Sequence, residues 1–244
     1  MKSRFAIAVL SFALVALHAD CKKNSSGIPI SPIKNNLAYV YNSDSTNGAA
    51  FKSLFQVNGC SVTLVKKSVA ATFDYSAFNV IIIDGNTAEL NGPDNWSSTD
   101  AMAIKNSGKP LVLLNEGGML FGDQIKTTVC WQNAASNNLA AFNVTDASAV
   151  IYKQPKTITI PANHQLTIFS ANSKVISFYA PFVPVSNVVL IGQEPGATNA
   201  NYYPVTLENN KYGLFGFYPN VNTMTATGKD FFINLVYYVG SLTL

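Results

Sequence analysis

Three carboxylates stand where ligands gather in an open α/β sheet, just past apolar runs that read as strands. Asp44 follows LAYVY (37–41), Asp84 follows NVIII (79–83) and Glu116 follows LVLLN (111–115). With Asn42, Asn86 and Asn115 beside them, they form a candidate ligand-binding set at the carboxyl ends of parallel strands, where such sheets bind ligands. Paired carboxylates of this kind can serve as general acid and base or nucleophile in glycoside hydrolysis, provided their separation is right. They can also accept hydrogen bonds from a hydroxyl-rich ligand or face a cation. The bland alternative is that Asp and Asn at these points cap helices and turn loops. No catalytic residue is assigned beyond the candidates Asp44, Asp84 and Glu116.

Other chemistries fit less well. His164 is the one histidine after the N-terminal targeting segment, and no GxSxG elbow accompanies it, so a Ser-His-Asp arrangement has little to build on. No HxxxH, HExxH or CxxC spacing is present, so no metal is expected. No P-loop or GxGxxG is present either, so no nucleotide cofactor is expected. Asn115-Glu116-Gly117-Gly118 combines a strand end with glycines that permit close backbone approach. A helix starting there could face an anion; a structural turn is the competing reading.

The elements that must position these residues alternate. A helix is predicted over 47–58, with Ala50, Phe51, Leu54 and Phe55 on one face and Asn58-Gly59 as its stop. CSVTLV (60–65) is a second strand, and a short helix over 98–106 follows, capped by Ser97 or Ser98. Continuous apolar strands alternating with helices predict a parallel sheet with right-handed crossovers. Residues 119–156 read as helix with loops. Strands are then expected at TITI (157–160), KVISFYA (174–180) and VVLIG (188–192). A hairpin over 202–218 turns at Asn209-Asn210, and a last helix covers 226–239. The fold class expected is therefore α/β, a flavodoxin-like, mostly parallel sheet flanked by helices with antiparallel strands in the C-terminal half. Tyr202, Tyr203, Tyr212, Phe215, Phe217 and Tyr218 alternate along the hairpin. They suit a core face, or, where exposed, stacking on sugar rings.

Composition narrows the setting. Only 12% of the 244 residues are charged while 48% are hydrophobic, against about 25% charged in ordinary domains. The surface must then be covered by Asn, Ser, Thr and Tyr, as in exported proteins. The net charge of +3 has no clustered stripe beyond Lys22-Lys23 and Lys66-Lys67, so nucleic acid is not an expected partner. Residues 1–20 read as a signal peptide: a basic start, then an apolar run from Phe5 to Leu17 that is too short to span a bilayer. Cys21 follows directly, ahead of a polar tether over 21–36, with the folded domain over 37–244. The arrangement resembles bacterial lipoprotein precursors, which implies a lipid on Cys21 and a place on a membrane of the cell envelope. Asp20 stands where that pattern has a small residue, and cleavage after Ala19 to give a soluble secreted protein is the alternative. Cys60 and Cys130 fall in different predicted elements, either as a pair or as two buried thiols.

The order of elements from about 37 to 240 resembles the class I glutamine amidotransferase-like superfamily, in particular its non-amidotransferase branch of ThuA-like proteins. The likeness is carried by the opening βαβ with DYSAFNVIIIDG, by GKPLVLLNEGG, and by the closing VVLIG, YGLFGFYP and TMTATGKDFFINLVYYV. It implies a sharp turn after the strand with a cysteine nucleophile followed two residues later by glycine. Here Gly117 keeps the glycine, but Asn115 occupies the nucleophile position, and an amide is not a nucleophile. The resemblance thus implies a domain without the family's catalytic residue. It would bind a ligand or partner, such as a glycan or another surface protein. A carbohydrate hydrolase using the strand-end carboxylates and a structural component of a surface assembly are the alternatives. ThuA-like relatives are linked to sugar metabolism, which points the same way by analogy.

Overall fold

A computed structural model of the chain describes residues 35–129, 134–182, 186–196 and 200–242. The expected signal peptide, tether, Cys21 and Cys130 lie outside the described residues.

The first half is a series of strand–helix units. β1 (Asn35–Tyr41) leads to α1 (Ser45–Gln56), β2 (Cys60–Lys66), α2 (Lys67–Ala70) and β3 (Val80–Ile83). α3 (Ser98–Asn106), β4 (Leu111–Leu114) and α4 (Asn115–Gln124) follow. Local signals set the boundaries. Asp44 caps α1 by accepting from the Thr46 N–H at 2.8 Å, and Gly59, at φ +82°, lets the chain leave it. Ser97 caps α3 by accepting from the Asp100 N–H at 3.0 Å.

The remaining strands are β5 (Ala134–Leu139), β6 (Ala141–Val144), β7 (Gln165–Thr167), β8 (Ser173–Tyr179), β9 (Val188–Gln193), β10 (Tyr202–Tyr203), β11 (Val205–Glu208) and β12 (Tyr212–Phe215). Helix α5 (Ala226–Gly240) closes the chain. Among the described residues these strands build a nine-stranded sheet in the order β2-β1-β3-β4-β12-β11-β9-β6-β7 and a three-stranded sheet β10-β8-β5. β2, β1, β3, β4 and β12 run parallel, and pairing is antiparallel from β11 onward. The α/β class, the parallel half and the antiparallel C-terminal strands agree with the sequence reading.

Every residue of β3 and β4 is buried, because helices cover both faces. Val80, Ile82, Val112 and Leu114 pack with Phe51 and Phe55 of α1 and Phe231 and Phe232 of α5. Ile81, Ile83, Leu111 and Leu113 pack with Ala101 and Ile104 of α3 and Phe121 of α4. Period-two alternation thus assigns each strand residue to one of two cores. Asn209 and Asn210 sit at φ 53° and 52°, the left-handed pair that a tight β11–β12 hairpin requires.

Two expectations are corrected. Residues 119–156, expected as helix with loops, carry among the described residues only α4 as α-helix and then strands β5 and β6. β5, AASNNL, is polar and mostly exposed; its extended form comes from pairing with β8, which no local pattern announces. TITI (157–160) is not a strand. Its start is fixed by the buried Asn234 side chain, which accepts from the Lys156 N–H at 2.9 Å and donates to the Lys156 carbonyl at 2.8 Å, so those backbone groups are satisfied without a ladder.

The two sheets meet at Gly216, just past β12. Its carbonyl accepts from the Ile176 N–H of β8 at 2.9 Å and its N–H donates to the Pro204 carbonyl at 2.7 Å. A Cβ at this position would lie 1.8 Å from the Ile176 oxygen. Gly216→Ala is therefore expected to destabilise the fold by about 3 kcal/mol or more through overpacking against backbone. Urea denaturation of the variant beside the native chain measures it, and an unchanged midpoint would show that β8 does not seat there.

Candidate functional site

The carboxyl ends of β1, β3, β4 and β12 form one rim, and the sharpest feature in it is the β4–α4 turn. Asn115 adopts φ +44° as the first residue of α4, a left-handed conformation that asparagine tolerates better than most residues. Turning this sharply brings the start of α4 against the β3 loop. A Cβ on Gly117 would lie 2.6 Å from the Asp84 and Gly85 carbonyl oxygens, and one on Gly118 would lie 2.6 Å from Leu113 backbone. Both glycines are therefore steric requirements of the turn. Helix α4 does start here, as the anion reading supposed, but its first turn packs onto the β3 loop.

Asn115 is 1% exposed. Its side-chain amide donates to the Gly216 carbonyl at 2.5 Å and to the Lys174 carbonyl of β8 at 3.1 Å. The Asn115 side chain thus ties β4 to the β12 end and to β8 of the second sheet. Tyr218 adds to this tie, its N–H donating to the same Lys174 carbonyl at 2.8 Å.

The sequence-predicted carboxylates divide into two groups. Asp44 and Asp84 are near enough to repel one another electrostatically. The asparagines knit their loops together: the Asn42 N–H donates to Asn86 Oδ1 at 3.0 Å, and Asn86 Nδ2 donates to the Asp44 carbonyl at 3.3 Å. Glu116 is engaged elsewhere. It pairs with Lys174 and accepts from the Leu90 N–H at 2.9 Å. Asp44 remains exposed, Asn42 and Asn86 are half-buried, and Asp84 is 1% exposed.

Asp84 is the chemically unusual group. Burial pushes its carboxyl up to about 7, because the charged form loses solvation. The Tyr39 hydroxyl and the backbone N–H groups of Gly85 and Asn86 oppose that shift, and the Asp44 charge adds to it. Its Oδ2 has no hydrogen-bond partner among the described residues. Burial, followed by the Asp84 charge, likewise raises Tyr39 well above the usual phenol range. Tyr39 is fully buried and stacks on Phe51, with ring centroids 5.2 Å apart.

Residues that the sequence reading left out complete the rim. Tyr39 lies mid-strand, and Lys174 arrives from the second sheet. Tyr218 belongs by sequence to the hairpin aromatics, yet at 43% exposure it faces out beside Asp84, Asp44 and Glu89. Phe215 and Phe217 are fully buried, so most of the aromatic alternation serves the core. His164 precedes β7, the edge strand farthest from β2, and does not share the rim. Among the described residues no three His, Cys, Asp or Glu side chains gather as a metal-ligand set. Cys60 is buried at the opposite end of β2 from the rim and donates to the Tyr237 hydroxyl at 3.3 Å.

No family model and no curated protein matches this chain. Solved structures do match in shape. A GMP synthase-like protein from Thermoplasma acidophilum superposes with a TM-score of 0.56 and 10% identity, over 85% of this chain and 95% of that one. A chain of PurLQS from Thermotoga maritima gives 0.56 and 11%, over 84% and 99%. The glutaminase domain of Trypanosoma brucei CTPS, solved with bound acivicin, gives 0.57 and 8%, over 86% and 96%. The chain therefore has the class I glutamine amidotransferase-like fold.

Two measurements follow from the site. Asn115→Ala removes one of two donors at each of the Gly216 and Lys174 carbonyls and puts alanine at a left-handed position, so a loss of about 1–3 kcal/mol is expected in urea unfolding. A loss below a few tenths would mean that the amide does not tie the sheets. The second concerns pH. A carboxyl whose folded pKa exceeds its unfolded value stabilises the fold when protonated. The contribution is full below about pH 4, falls as pH rises, and is gone above the folded value near 7. The native chain should lose stability between pH 5 and 8 by more than Asp84→Asn does. Equal slopes for the two would refute a buried, raised carboxyl.

Proposed function

We propose that this is an exported, lipid-anchored protein of the bacterial cell envelope whose amidotransferase-like domain has given up glutamine chemistry and binds a ligand or partner. The observation that carries the non-catalytic reading is Asn115. It stands at the turn where the family resemblance implies a cysteine, it is buried, and both its donor bonds go to backbone carbonyls. A residue so placed offers neither a nucleophile nor access to one.

The accessible part of the rim is what remains for binding. Exposed Asp44 and Glu89 offer acceptors to hydroxyl groups, half-buried Asn42 and Asn86 shape the floor, and Tyr218 offers an aromatic face. An acceptor-rich rim with one exposed ring suits a polyhydroxylated ligand such as a glycan. The likeness to the ThuA-like branch favours the same class by analogy. Glu116 is spent on Lys174 and Asp84 is enclosed, so the rim supports binding better than carboxylate-driven hydrolysis. The anchor rests on Cys21 directly after the apolar targeting run. An acyl group on the mature N-terminal peptide, read by mass, is the direct check on it.

Glycan-array screening followed by calorimetric titration tests the binding reading. Asp44→Ala and Tyr218→Ala should each weaken a glycan hit about 10-fold or more, with the fold retained and the glycan recovered intact. Release of ammonia from glutamine by the native protein would sink the non-catalytic reading. Cleavage of the bound glycan would replace binding with hydrolysis.

A further inference from the structure

The rim lies at one pole of the parallel strands, and the opposite pole has a character of its own. β1 begins there at Asn35, paired in register with Cys60. Cys60 bonds the Tyr237 hydroxyl, which itself donates to the Asn58 carbonyl at 2.7 Å. The end of α1, the start of β2 and the end of α5 therefore meet where the chain enters the domain. A cavity of about 570 Å³ opens at this pole, lined in part by Val150, Pro155, Asn210, Tyr237, Tyr238 and Leu242.

Three large apolar side chains are left in water here. Val57 is 83% exposed, Val150 53% and Tyr238 38%. Lysines flank them: Lys153 is exposed beside Val150, and Lys211 follows the cavity residue Asn210. Lys109 stands at the start of β4 with its ammonium donating to the Ser76 carbonyl. Acids stand at this pole as well, each tied to a neighbour. Asp146 is bonded to Ser148 close to Lys153, Asp74 is bonded to Ser76 close to Lys109, and Glu208 turns inward to accept from Thr128 and Val129. Exposed aliphatic groups and a tyrosine with lysines nearby are a composition that settles at the headgroup level of a bilayer.

We infer that this pole, centred on Val57, Val150 and Tyr238, rests on the anionic lipid surface to which the protein is anchored and so holds the Asp44–Tyr218 rim away from the membrane. This rests on the lipid anchor proposed above. Covalent geometry limits the stretch between Cys21 and Asn35 to about 50 Å. The domain is thus held close to the bilayer, where an individually weak surface contact is enough to orient it. A lipid surface is favoured over a protein partner because the chain enters the domain at this same pole.

Tyr238 and Tyr218 are matched reporters, 38% and 43% exposed, at opposite poles. The test is hydroxyl-radical footprinting of the mature protein, with and without vesicles of phosphatidylethanolamine and phosphatidylglycerol. Oxidation of Tyr238 should fall about threefold or more on the vesicles while Tyr218 stays unchanged. Equal oxidation of Tyr238 in the two conditions, or protection of Tyr218 instead, overturns the orientation. The anchor is read separately, from the mass of the mature N-terminal peptide. An unacylated Cys21 or cleavage after Ala19 refutes the anchor, and the same footprint with added vesicles still decides which pole meets lipid.

Discussion

The rim of this protein depends on one side-chain amide. Asn115 sits where β4 reverses into α4, and its two donor bonds join that turn to β12 and to β8 of the second sheet. A buried amide N–H without an acceptor costs roughly 1–3 kcal/mol, so the bonds constrain as much as they stabilise. Once Asn115 is at this position, the Gly216 and Lys174 carbonyls must stay within reach of it. That requirement fixes the height at which β8 crosses the main sheet. Gly216 follows from the same requirement, since β8 at that height leaves no room for a Cβ.

The same closure explains the state of Asp84. With α4 drawn against the β3 loop, the carboxylate has little water, and Tyr39 beneath it cannot be replaced by solvent. A cation beside Asp84 would hold its carboxyl ionised. Asp84 has instead a phenol, two backbone donors and the repulsion of Asp44, so burial dominates. An enzyme can use such a raised carboxyl as an acid only if substrate reaches it. At 1% exposure it is more plainly a costly polar element of the core, next to a rim that remains open.

Much of this was legible in the chain. VIII and LVLL read as strands covered on both faces because no polar residue interrupts them, and the helices that cover them carry phenylalanines at helical spacing. Asn209-Asn210 announced the hairpin because few other pairs accept two left-handed residues. β5 was illegible because its residues carry no strand pattern of their own; β8 imposes it. Within the rim, Asp44, Asp84 and Asn86 could be grouped from strand ends alone. The pairing of Glu116 with Lys174 could not be foreseen, because that lysine comes from a strand 58 residues later in a different sheet.

The two glycines of the β4–α4 turn answer a steric demand. Gly117 and Gly118 are needed wherever a helix starts this abruptly from a buried strand, because any Cβ would strike the β3 loop or the strand itself. That demand is steric and does not depend on what residue 115 does. Residue 115 can therefore vary without disturbing the turn, provided it tolerates a left-handed backbone and finds partners when buried. Asparagine meets both conditions, and the carbonyls that satisfy it belong to β8 and to the end of β12. The sharp turn and the crossing of β8 above the main sheet are thus one arrangement, and it leaves Asp44, Asn42, Asn86 and Tyr218 at the outer rim.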